Sequence, residues 1–397
     1  MNLLVICQYY YPEPFRITDI CEELVQRGHQ VTVVTGMPNY PMGKIYEGYR
    51  KGEKRNETIN GVKIHRCFTI GRRHGAFYRF LNYYSYVLSS TSYVNKIKDD
   101  YNTVFVNQLS PVMMANAGLK YKKKYHKKLV LYCLDLWPES LVAGGIKRGS
   151  GIYRYFHYVS EKIYGQADKI LITSKSFSKY FEDEFGITGT AYLPQYAETI
   201  FTPEQCAKEP NGTIDLMFAG NVGAAQSVDT IIKAAALCKD IPNLRWHIVG
   251  DGSELENCKK LANDLGITSI IFHGRKALEE MPAYYAMADA MLVTMQKDRV
   301  LSMTLPGKVQ TYMAAGKPII GAIDGETNRV IINSSCGFAS PSEDVDALAK
   351  DILSFSQMTQ KARKHLADNG ATYCLNVFSR EQFFNDLEKA FNYHASN

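Results

Sequence analysis

The chain has 397 residues, 46% hydrophobic and 22% charged, a composition typical of a soluble globular protein that is long enough for two domains. Its net charge of +6 is uneven, because residues 1–200 hold 27 basic and 17 acidic side chains whereas residues 201–397 hold 19 and 23. A basic half beside an acidic half indicates that the first half meets an anionic surface.

The cysteines and the apolar runs exclude several classes of protein. The nine cysteines are scattered, odd in number and without a C-x-x-C pair, which favours reduced thiols over a disulfide framework or a zinc site. The N-terminal run "MNLLVICQYYYPEP" lacks a basic region, so no secretory signal is expected. No stretch approaches the 18 apolar residues of a membrane span. We expect a cytoplasmic protein.

The first half of the chain alternates short apolar runs with amphipathic segments. A predicted strand at Leu3–Tyr10 leads to a helix at Ile17–His29 and a strand at Gln30–Gly36, a βαβ unit typical of parallel sheets. Further strands are predicted at residues 102–108, 128–134 and 167–174, with a helix around residues 113–125.

The alternation restarts after a linker at residues 194–204, so the second half is predicted to be another doubly wound α/β domain. We expect a first domain at residues 1–195 and a second at 196–377, with a last helix within residues 378–397 crossing back to the first. The elements predicted in the second half lie at residues 214–223, 228–240, 244–252, 253–266, 269–274, 280–289, 290–295, 317–323 and 345–356.

Three strand-end loops of the second domain are candidates for ligand binding. Two facing α/β domains are expected to form a cleft at the carboxyl ends of their strands, where ligands bind in open sheets. The loops at Ala219–Ser227, Val249–Gly252 and Leu305–Gly321 should line it. Their glycines let backbone approach a ligand, and helix-starting amides can hold phosphate. A glycine turn is often only a turn, so the phosphate prediction depends on the three loops together.

Lys308 follows Pro306 and Gly307 at a predicted helix N-terminus, where the helix dipole disfavours a cation. Either the lysine is solvated and incidental, or an anion lies in front of it. A diphosphate suits the second explanation, because a point charge beside free helix amides binds phosphate. The sequence therefore predicts a nucleotide-diphosphate site in the second domain.

Polar side chains also follow predicted strands of the first domain. Glu13 and Arg16 lie after the first strand, and "YCLDLWPES" places Asp135 and Glu139 around Trp137 just past a buried strand. A carboxylate beside a large aromatic ring at a strand end can be catalytic or can bind an acceptor. A solvated loop, or an aspartate that caps a helix or turn, explains the same residues equally well.

A basic and aromatic stretch runs over residues 71–94, and six lysines follow within residues 120–128. Basic charge with exposed Tyr and Phe suits an anionic membrane surface. The alternatives are a buried helix, a solvated charged helix and nucleic-acid binding, although no nucleic-acid recognition fold is apparent. The residues expected at the membrane are Arg72, Arg73, Phe77, Arg79, Lys122, Lys123 and Lys124.

Seven segments together carry a resemblance to a known family. They are "YYYPEP", "VTVVTGMPNYPMGKIYEGYR", "DLWPES", "AGNVGAAQSVDTII", "VGDGSE", "HGR" followed by "MPAYYAMAD", and "LPGKVQTYMAAGKPIIGAIDGE". In their order and spacing the chain resembles glycosyltransferase family 4 over nearly its whole length. Within that family it is most similar to the WbuB-like branch of L-fucosamine transferases.

The resemblance implies a GT-B fold whose second domain binds a nucleotide-sugar and whose first domain binds the acceptor. It also implies a retaining reaction that needs no metal or other cofactor, in keeping with the lack of an Asp-x-Asp motif at a suitable strand end. We expect a UDP-sugar donor carrying N-acetyl-L-fucosamine or a related N-acetylhexosamine. The expected acceptor is a polyprenyl-diphosphate-linked saccharide, used in capsule or O-antigen synthesis at the inner face of an anionic membrane. No nucleic-acid partner is expected.

The chain departs from the family pattern at the donor's ribose and diphosphate. The family often has two glutamates separated by seven residues, and Met303 and Thr311 stand at those positions here. Ala224 and Gln226 stand where the wider family has an arginine and a lysine that hold the diphosphate. Lys308 then becomes the natural substitute for these cations.

The resemblance also assigns roles to individual residues. Thr311 or Glu326 is expected at the ribose and the uracil near residues 273–276, while Asp135 and Arg16 orient the acceptor or the sugar. The expected catalytic residues are Asp135, Lys308 and Arg16. The expected donor-binding residues are Gly220, Asn221, Gly223, Gln226, Gly250, Asp251, Gly252, His273, Arg275, Lys276, Lys308, Thr311 and Glu326. The expected acceptor-binding residues are Glu13, Arg16, Asn39, Asp135, Trp137 and Glu139.

Two other functions fit the same fold. A nucleotide-sugar epimerase shares the GT-B architecture, but it needs no membrane, and the basic aromatic stretch argues against it. A non-catalytic scaffold that binds lipid or a partner glycosyltransferase would explain the missing glutamates. Nucleotide binding without turnover on any acceptor would favour the scaffold.

Overall fold

The computed structural model describes residues 1–73, 75–143 and 145–392, which form two compact α/β units. The first unit contains residues 1–173, 177–193 and the end of the chain from Asp386, and the second contains residues 174–176 and 194–385. Each unit is built on its own largely parallel sheet, so the predicted α/β class with two doubly wound sheets is confirmed. Residues 393–397 of the predicted last helix and His74 of the basic aromatic stretch lie outside the described residues.

An eight-stranded sheet forms the centre of the first unit. Its strands are β1 (Asn2–Ile6), β2 (Gln30–Gly36), β3 (Asn56–Ile59), β4 (Val62–Cys67), β5 (Thr103–Gln108), β6 (Lys128–Cys133), β7 (Lys169–Ile172) and β8 (Ala191–Tyr192). Their order is β3-β4-β2-β1-β5-β6-β7-β8, and only β3 runs antiparallel to its neighbour. Central β5 is buried along its whole length, as expected for an apolar strand covered on both faces. The sequence did not predict the β3–β4 hairpin, because "NETI" is polar and half exposed.

Helices cover both faces of this sheet. They are α1 (Ile17–Gln26), α2 (Ala76–Lys96), α3 (Asn116–Tyr125), α4 (Glu139–Ala143), α5 (Gly151–Tyr164) and α6 (Lys175–Phe185). The basic aromatic stretch is therefore mostly one helix, the 21-residue α2. At about 1.5 Å per residue this helix is about 30 Å long.

A six-stranded, fully parallel sheet forms the centre of the second unit. Its strands are β9 (Ile214–Ala219), β10 (Leu244–Val249), β11 (Ile270–Gly274), β12 (Ala290–Thr294), β13 (Ile319–Ala322) and β14 (Gly337–Ser340). The order β11-β10-β9-β12-β13-β14 reverses direction between β9 and β12. Ligands of open parallel sheets bind at the carboxyl ends of the strands beside such a reversal. The predicted loop at residues 219–227 follows β9 and lies at this point.

The helices of the second unit flank that sheet. They are α7 (Val228–Leu237), α8 (Leu255–Asp264), α9 (Met281–Met287), α10 (Arg299–Met303), α11 (Gly307–Ala314), α12 (Gly325–Ser334), α13 (Val345–Gln357), α14 (Gln360–Val377) and α15 (Arg380–Asn392). Helix α11 confirms the predicted helix start at Lys308, with Pro306 as its N-cap. The 18-residue α14 was not predicted from the sequence.

The last helix, α15, contributes its final turns to the first unit. There the ring of Phe391 packs edge-on against Phe105 of β5, with 5.4 Å between ring centroids. Lys128 Nζ donates hydrogen bonds to the carbonyls of Ala390 and Phe391, at 2.8 and 3.2 Å. Residues from the far end of the sequence therefore complete the core of the first unit.

The cysteines and the lengths of the helices can be compared with the sequence predictions. All nine cysteines are buried and unpaired, as predicted. Within the described ranges, no helix is both long enough and apolar enough to cross a bilayer.

Candidate functional site

Three glycine-containing strand ends of the second unit adjoin one another. Gly220 N donates to Val249 O, and Gly250 N donates to Gly274 O, both at 2.9 Å. Gly250 has φ +143°, and a Cβ at this residue would lie 1.8 Å from the carbonyl oxygen of Gly220. Only glycine permits that approach. The predicted loops after β9 and β10 therefore form one continuous backbone surface.

Side chains predicted to contact the donor instead organise these loops. Asn221 Nδ2 donates to Gln226 Oε1 at 3.0 Å, and Thr294 Oγ1 of β12 donates to the backbone oxygen of Gln226 at 2.6 Å. Asp251 is exposed, and its Oδ1 accepts from the amide of Gly252 at 2.7 Å. The loop after β9 is thus fixed from both sides of the strand-order reversal, with Gly220 and Gly223 within it.

Tyr312 of α11 joins that helix to the end of β9. Its hydroxyl donates to Ala219 O at 2.9 Å and accepts from Ala219 N at 3.1 Å. Residues four apart lie on the same side of a helix. The contact therefore places Lys308, one turn before Tyr312, beside Gly220.

The amine of Lys308 is buried and has no hydrogen-bond partner within the part of the chain that the structure describes. Its Nζ lies 3.9 Å from the centre of the Phe218 ring, and a Cβ at Gly220 would come within 2.7 Å of it. Burial lowers the pKa of this amine to about 7. The solvated lysine that the sequence allowed is therefore excluded, and the amine faces the glycine loop without a counter-charge.

A carboxylate that the sequence analysis missed lies beside Thr311. Thr311 Oγ1 donates to Glu198 Oε2 at 3.2 Å and to Gly307 O at 3.1 Å. Glu198 belongs to the segment predicted as a linker and is 113 residues away in sequence. No motif links the two positions, so only the fold reveals that a carboxylate reaches the place where the family glutamate is missing.

Glu326 requires a correction. It is only 3% exposed, and its Oε2 accepts from Arg329 Nη2 at 2.6 Å and from Ser176 Oγ at 2.7 Å. Because Glu326 is almost fully enclosed, it offers little surface to a ribose hydroxyl, whereas Glu198 is only half-buried and is the alternative candidate.

The residues expected near the base follow β11. Arg275 is exposed, and Lys276 Nζ lies 5.2 Å from the centre of the Tyr284 ring of α9. His273 is half-buried and forms a hydrogen bond with His247 of β10, at 2.9 Å between ring nitrogens. His247 was not singled out from the sequence, because an inward-facing histidine of a strand leaves no distinctive pattern.

In the first unit, two predicted acceptor-binding residues face inward. Glu13 is 3% exposed and accepts from the amides of Asn39 and Tyr40 at 2.7 Å each, and from that of Tyr10 at 3.3 Å. Burial raises the pKa of Glu13 to about 7 although these amides oppose the shift. Asn39 Oδ1 accepts from the amide of Arg72 at 3.0 Å. Both residues hold loops in place, which corrects the expectation that they meet an acceptor.

The segment around Trp137 is also tied together internally. The hydroxyls of Ser110 and Ser140 donate to the two carboxylate oxygens of Asp135, and Trp137 Nε1 donates to Ser110 Oγ at 2.8 Å. Burial raises the pKa of Asp135, and these hydrogen bonds oppose the shift. Trp137 is buried, so it offers no open aromatic face for a sugar. Asp135 is half-exposed at the carboxyl end of β6, and its catalytic role stays a prediction.

Glu139 requires a similar correction. Its carboxylate is fully buried, forms an ion pair with Arg148 and accepts from the Tyr153 hydroxyl at 2.8 Å. These contacts join α4 to α5, so Glu139 has a structural role instead of the predicted contact with an acceptor. Arg16 is half-buried at the N-cap of α1, and its predicted role stays untested.

The residues predicted to contact a membrane separate into two groups. Arg73, Phe77 and Arg79 are exposed at or just before the start of α2. This part of α2 lies near the carboxyl ends of the strands, because Asn82 accepts a hydrogen bond from Gln8, just after β1. Lys124 Nζ donates to Asn95 O at 2.7 Å, which places the end of α3 against the opposite end of α2. Lys122 forms an ion pair with Asp168 at 2.6 Å.

The lysine group therefore lies at the amino ends of the strands, away from the start of α2, and its predicted membrane contact stays a prediction. Lys122 and Lys123 line a surface cavity there of about 710 Å³. Arg72 departs from the prediction, because it is half-buried and its guanidinium lies 5.7 Å from the centre of the Tyr83 ring.

A second helix extends the exposed group at the start of α2. Phe77 is 69% exposed and Tyr155 of α5 is 58% exposed. The phenol of Tyr155 raises the pKa of Tyr84 of α2 in addition to the larger effect of burial, so the two helices are neighbours. The exposed apolar side chains of α2 and α5 are Phe77, Tyr78, Phe80, Leu88, Ile152, Tyr155 and Tyr158, and we call them together the aromatic surface.

No metal centre was predicted. In the described parts of the chain, His, Cys, Asp and Glu side chains form no group of three or more that could hold a metal ion.

Comparisons with known protein families give one matching family model for each half of the chain. Residues 16–192 match the family model described as Glycosyltransferase Family 4, and residues 204–373 match the model described as Glycosyl transferases group 1. The chain therefore carries a glycosyltransferase family 4 domain followed by a group 1 glycosyl transferase domain.

Two relatives carry glycosyltransferase names. A Pseudomonas aeruginosa protein named as the glycosyltransferase WbjE is 28% identical over 263 residues, 62% of this chain and 65% of the relative. An Escherichia coli protein, named as the colanic acid biosynthesis glycosyl transferase WcaI, is 22% identical over 336 residues, 80% of this chain and 82% of the relative. The chain thus spans about two thirds of the first relative and most of the second.

Solved structures identify the fold. The sucrose-phosphate synthase of Thermosynechococcus elongatus superposes with a TM-score of 0.77 at 15% identity, covering 98% of each chain. Anabaena HepE, solved in complex with UDP and glucose, has a TM-score of 0.71 at 14% identity and covers 99% of each chain. Such low identity establishes the fold alone, and the expected GT-B fold is confirmed.

Replacing the buried lysine, Lys308→Met, should raise the melting temperature. Between pH 7 and the ordinary lysine pKa of 10.5, the unfolded chain holds a proton that the folded protein lacks, so wild-type stability rises with pH in this window. The gain from Lys308→Met should be greatest below pH 7 and shrink toward pH 10. Calorimetry across this range measures it, with the exposed Lys297→Met as control. A variant less stable than wild type at pH 7 would contradict the unpartnered state of the amine.

Proposed function

We propose that this chain, which carries a glycosyltransferase family 4 domain and a group 1 glycosyl transferase domain, transfers a sugar from a UDP-sugar to a saccharide acceptor with retention of the anomeric configuration. The observation that carries the proposal is the Lys308 amine, buried without a counter-charge beside the Gly220 loop at the strand-order reversal. A diphosphate supplies that counter-charge. HepE, which shares the fold, binds UDP and glucose.

The proposed reaction needs an electrostatic partner for the leaving group. The bond between the sugar's anomeric carbon and the diphosphate oxygen breaks, while the acceptor hydroxyl forms a new bond to that carbon on the same face. The hydroxyl proton passes to a phosphate oxygen of the departing UDP. Negative charge grows on the diphosphate in the transition state, so a cation fixed at Lys308 lowers the barrier. We propose that no metal is required, since the lysine supplies the positive charge.

Protonation of Lys308 should accompany donor binding. Burial holds the pKa of the empty site at about 7, so above that pH the amine is largely neutral. A bound diphosphate raises the pKa of a neighbouring amine, because it favours the charged form. Donor affinity should therefore fall as the pH rises above 7.

Glu198 is the proposed partner of the donor's ribose. Its Oε2 accepts a hydrogen bond from Thr311, at the position where the family that the sequence resembles has a glutamate. A carboxylate has more than one acceptor site, so it can receive a ribose hydroxyl in addition to Thr311. Helix α11 would then supply contacts to the diphosphate through Lys308 and to the ribose through Thr311 with Glu198.

The proposed acceptor is a polyprenyl-diphosphate-linked saccharide at the inner face of an anionic membrane. The aromatic surface supports this proposal, because it combines exposed Phe and Tyr side chains with the exposed Arg73 and Arg79. The name of WcaI refers to colanic acid biosynthesis and supports a role in polysaccharide synthesis. The resemblance to L-fucosamine transferases favours N-acetyl-L-fucosamine or a related N-acetylhexosamine as the transferred sugar. Asp135 and Arg16 stay the proposed groups that orient acceptor or sugar.

The substitution Lys308→Ala should weaken stabilisation by UDP strongly and reduce turnover by orders of magnitude, because the diphosphate loses its only proposed cation. Thermal unfolding with UDP, GDP, ADP and their common sugars measures the first effect. Lys297→Ala, an exposed lysine, serves as control. Isothermal titration from pH 6 to 9 should show donor affinity falling in wild type, by up to about tenfold per pH unit above pH 7, and less steeply in Lys308→Ala.

Other results would change the proposal in defined ways. Stabilisation by GDP alone would keep the transferase and reject UDP. Nucleotide binding without turnover on any acceptor would favour a non-catalytic scaffold. No response to any nucleotide would reject the donor site.

The substitution Glu198→Ala should weaken UDP binding on the order of tenfold, the effect of losing one hydrogen bond to a charged group. For one of the two nucleotides 2′-deoxy-UDP and 3′-deoxy-UDP the substitution should weaken binding much less. That nucleotide is the one that lacks the ribose hydroxyl whose hydrogen bond Glu198 accepts. Titration calorimetry with the three nucleotides measures the difference, and the exposed Glu256→Ala serves as control. Equal losses for all three nucleotides would show that Glu198 acts only on the fold.

Serine replacements at Phe77, Phe80 and Tyr155 together should reduce binding to anionic phospholipid vesicles by about tenfold or more, because each removes apolar area from the membrane interface. Vesicle sedimentation measures the effect. Lys122→Ala with Lys124→Ala, at the amino ends of the strands, is the matched control and should bind nearly as wild type. A larger loss in the lysine control would move the contact to the amino ends of the strands.

A further inference from the structure

A buried polar chain crosses three neighbouring strands of the second sheet. It consists of Asp215 on β9, His247 on β10 and His273 on β11. Asp215 Oδ1 lies 2.9 Å from His247 Nε2, and His247 Nδ1 lies 2.9 Å from His273 Nε2. Asp215 and His247 are both almost fully buried. Buried ionisable groups are costly unless each hydrogen bond is made, so the direction of these bonds matters.

The buried end of this hydrogen-bonded series is the carboxylate of Asp215. Lys208 Nζ donates to the Asp215 carboxylate at 2.6 Å, and Arg245 Nε donates to the same carboxylate at 2.7 Å. Burial by itself would raise the pKa of Asp215, but hydrogen bonds from His247, Arg245 and Lys208 lower it well below its usual range. Lys208 also forms an ion pair with Asp289, so two carboxylates are matched by two cations. A carboxylate can only accept, and His247 must therefore donate from Nε2.

The charge balance then fixes both histidines. A positive charge on the buried His247 would have no counter-charge left, so its ring is neutral and its Nδ1 is an acceptor. His273 must consequently donate from Nε2, which leaves the lone pair on its Nδ1. Burial is the largest effect that lowers the pKa of His273, and the Lys276 amine lowers it further.

The free nitrogen of His273 is open to a ligand. Its ring packs edge-on against Tyr284, with 5.3 Å between centroids, while the residue as a whole is only half-buried. Among the residues that the structure describes, no group makes a hydrogen bond to Nδ1, and this atom is not one of the enclosed polar atoms left unpaired. It is therefore an acceptor exposed at the carboxyl end of β11.

We propose that Asp215 and His247 are positioning residues that hold His273 with Nδ1 as an acceptor, and that this atom receives the N3–H of the donor's uracil. The inference rests on the proposed function, since it takes the end of β11 as the base site. Cytosine has a lone pair at N3 where uracil has N–H, so an acceptor there repels it. The hydrogen-bonded series from Asp215 to His273 would thus make the protein select UDP over CDP.

The hydrogen-bond chain can be tested without any nucleotide. Long-range ¹⁵N–¹H spectra of the full chain labelled at histidine distinguish the two neutral tautomers. Both His247 and His273 should carry the proton on Nε2. The variant His247→Gln keeps an amide N–H toward Asp215 but has no group at the Nδ1 position, so His273 should populate both tautomers. A wild-type His273 protonated on Nδ1 would overturn the proposal.

The selectivity is tested by titrating UDP and CDP into wild type, His273→Ala and His273→Asn. The UDP preference should fall about tenfold in His273→Ala, through weaker UDP binding, and return in part in His273→Asn, whose amide oxygen can occupy the Nδ1 position. Equal losses for UDP and CDP, as expected of a merely structural histidine, would overturn this inference and leave the proposed function intact. Failure of wild type to bind either nucleotide would overturn both.

Discussion

The hydroxyl of Tyr312 is the contact on which the arrangement of the second unit's site depends. It bonds both backbone groups of Ala219, the last residue of β9, and so prevents α11 from sliding along the sheet. Lys308 and Thr311 lie on the preceding turn, and their positions relative to the glycine loop follow from this attachment. A site built on a helix attached to a strand end is more rigid than one built on loops alone.

The unpartnered amine of Lys308 is unfavourable for folding but suited to binding. A buried cation without a counter-charge destabilises a folded chain, and here the pKa falls so that the proton can leave. The same amine attracts an anion strongly once one arrives, since little water remains to be displaced from it. Charge stabilisation is most effective where the group is already oriented before the reaction. In the proposed function, the lower stability at this residue is offset by a prepared anion site.

The fold and part of the site could be predicted from the sequence. The apolar runs located the central strands, and glycines at strand ends marked Gly220 and Gly250, because both features act locally in the chain. The partner of Thr311 could not be found, since Glu198 is brought there only by the fold. The inward direction of Glu13 and of other polar loop residues could not be predicted either. A polar residue in a loop has the same sequence pattern whether it faces water or a neighbouring amide.

Helix α15 is divided between the two units, and this affects the order in which the units can fold during synthesis. The first unit includes Phe391, which packs on Phe105, and carbonyls near it that Lys128 contacts. During synthesis, residues 1–193 leave the ribosome well before residue 391, so the core beside β5 stays open while the second unit emerges. Domains generally fold as units in the order of synthesis, but here the first to emerge cannot be the first to finish. The second unit, almost continuous in sequence, is free to fold before the first has closed.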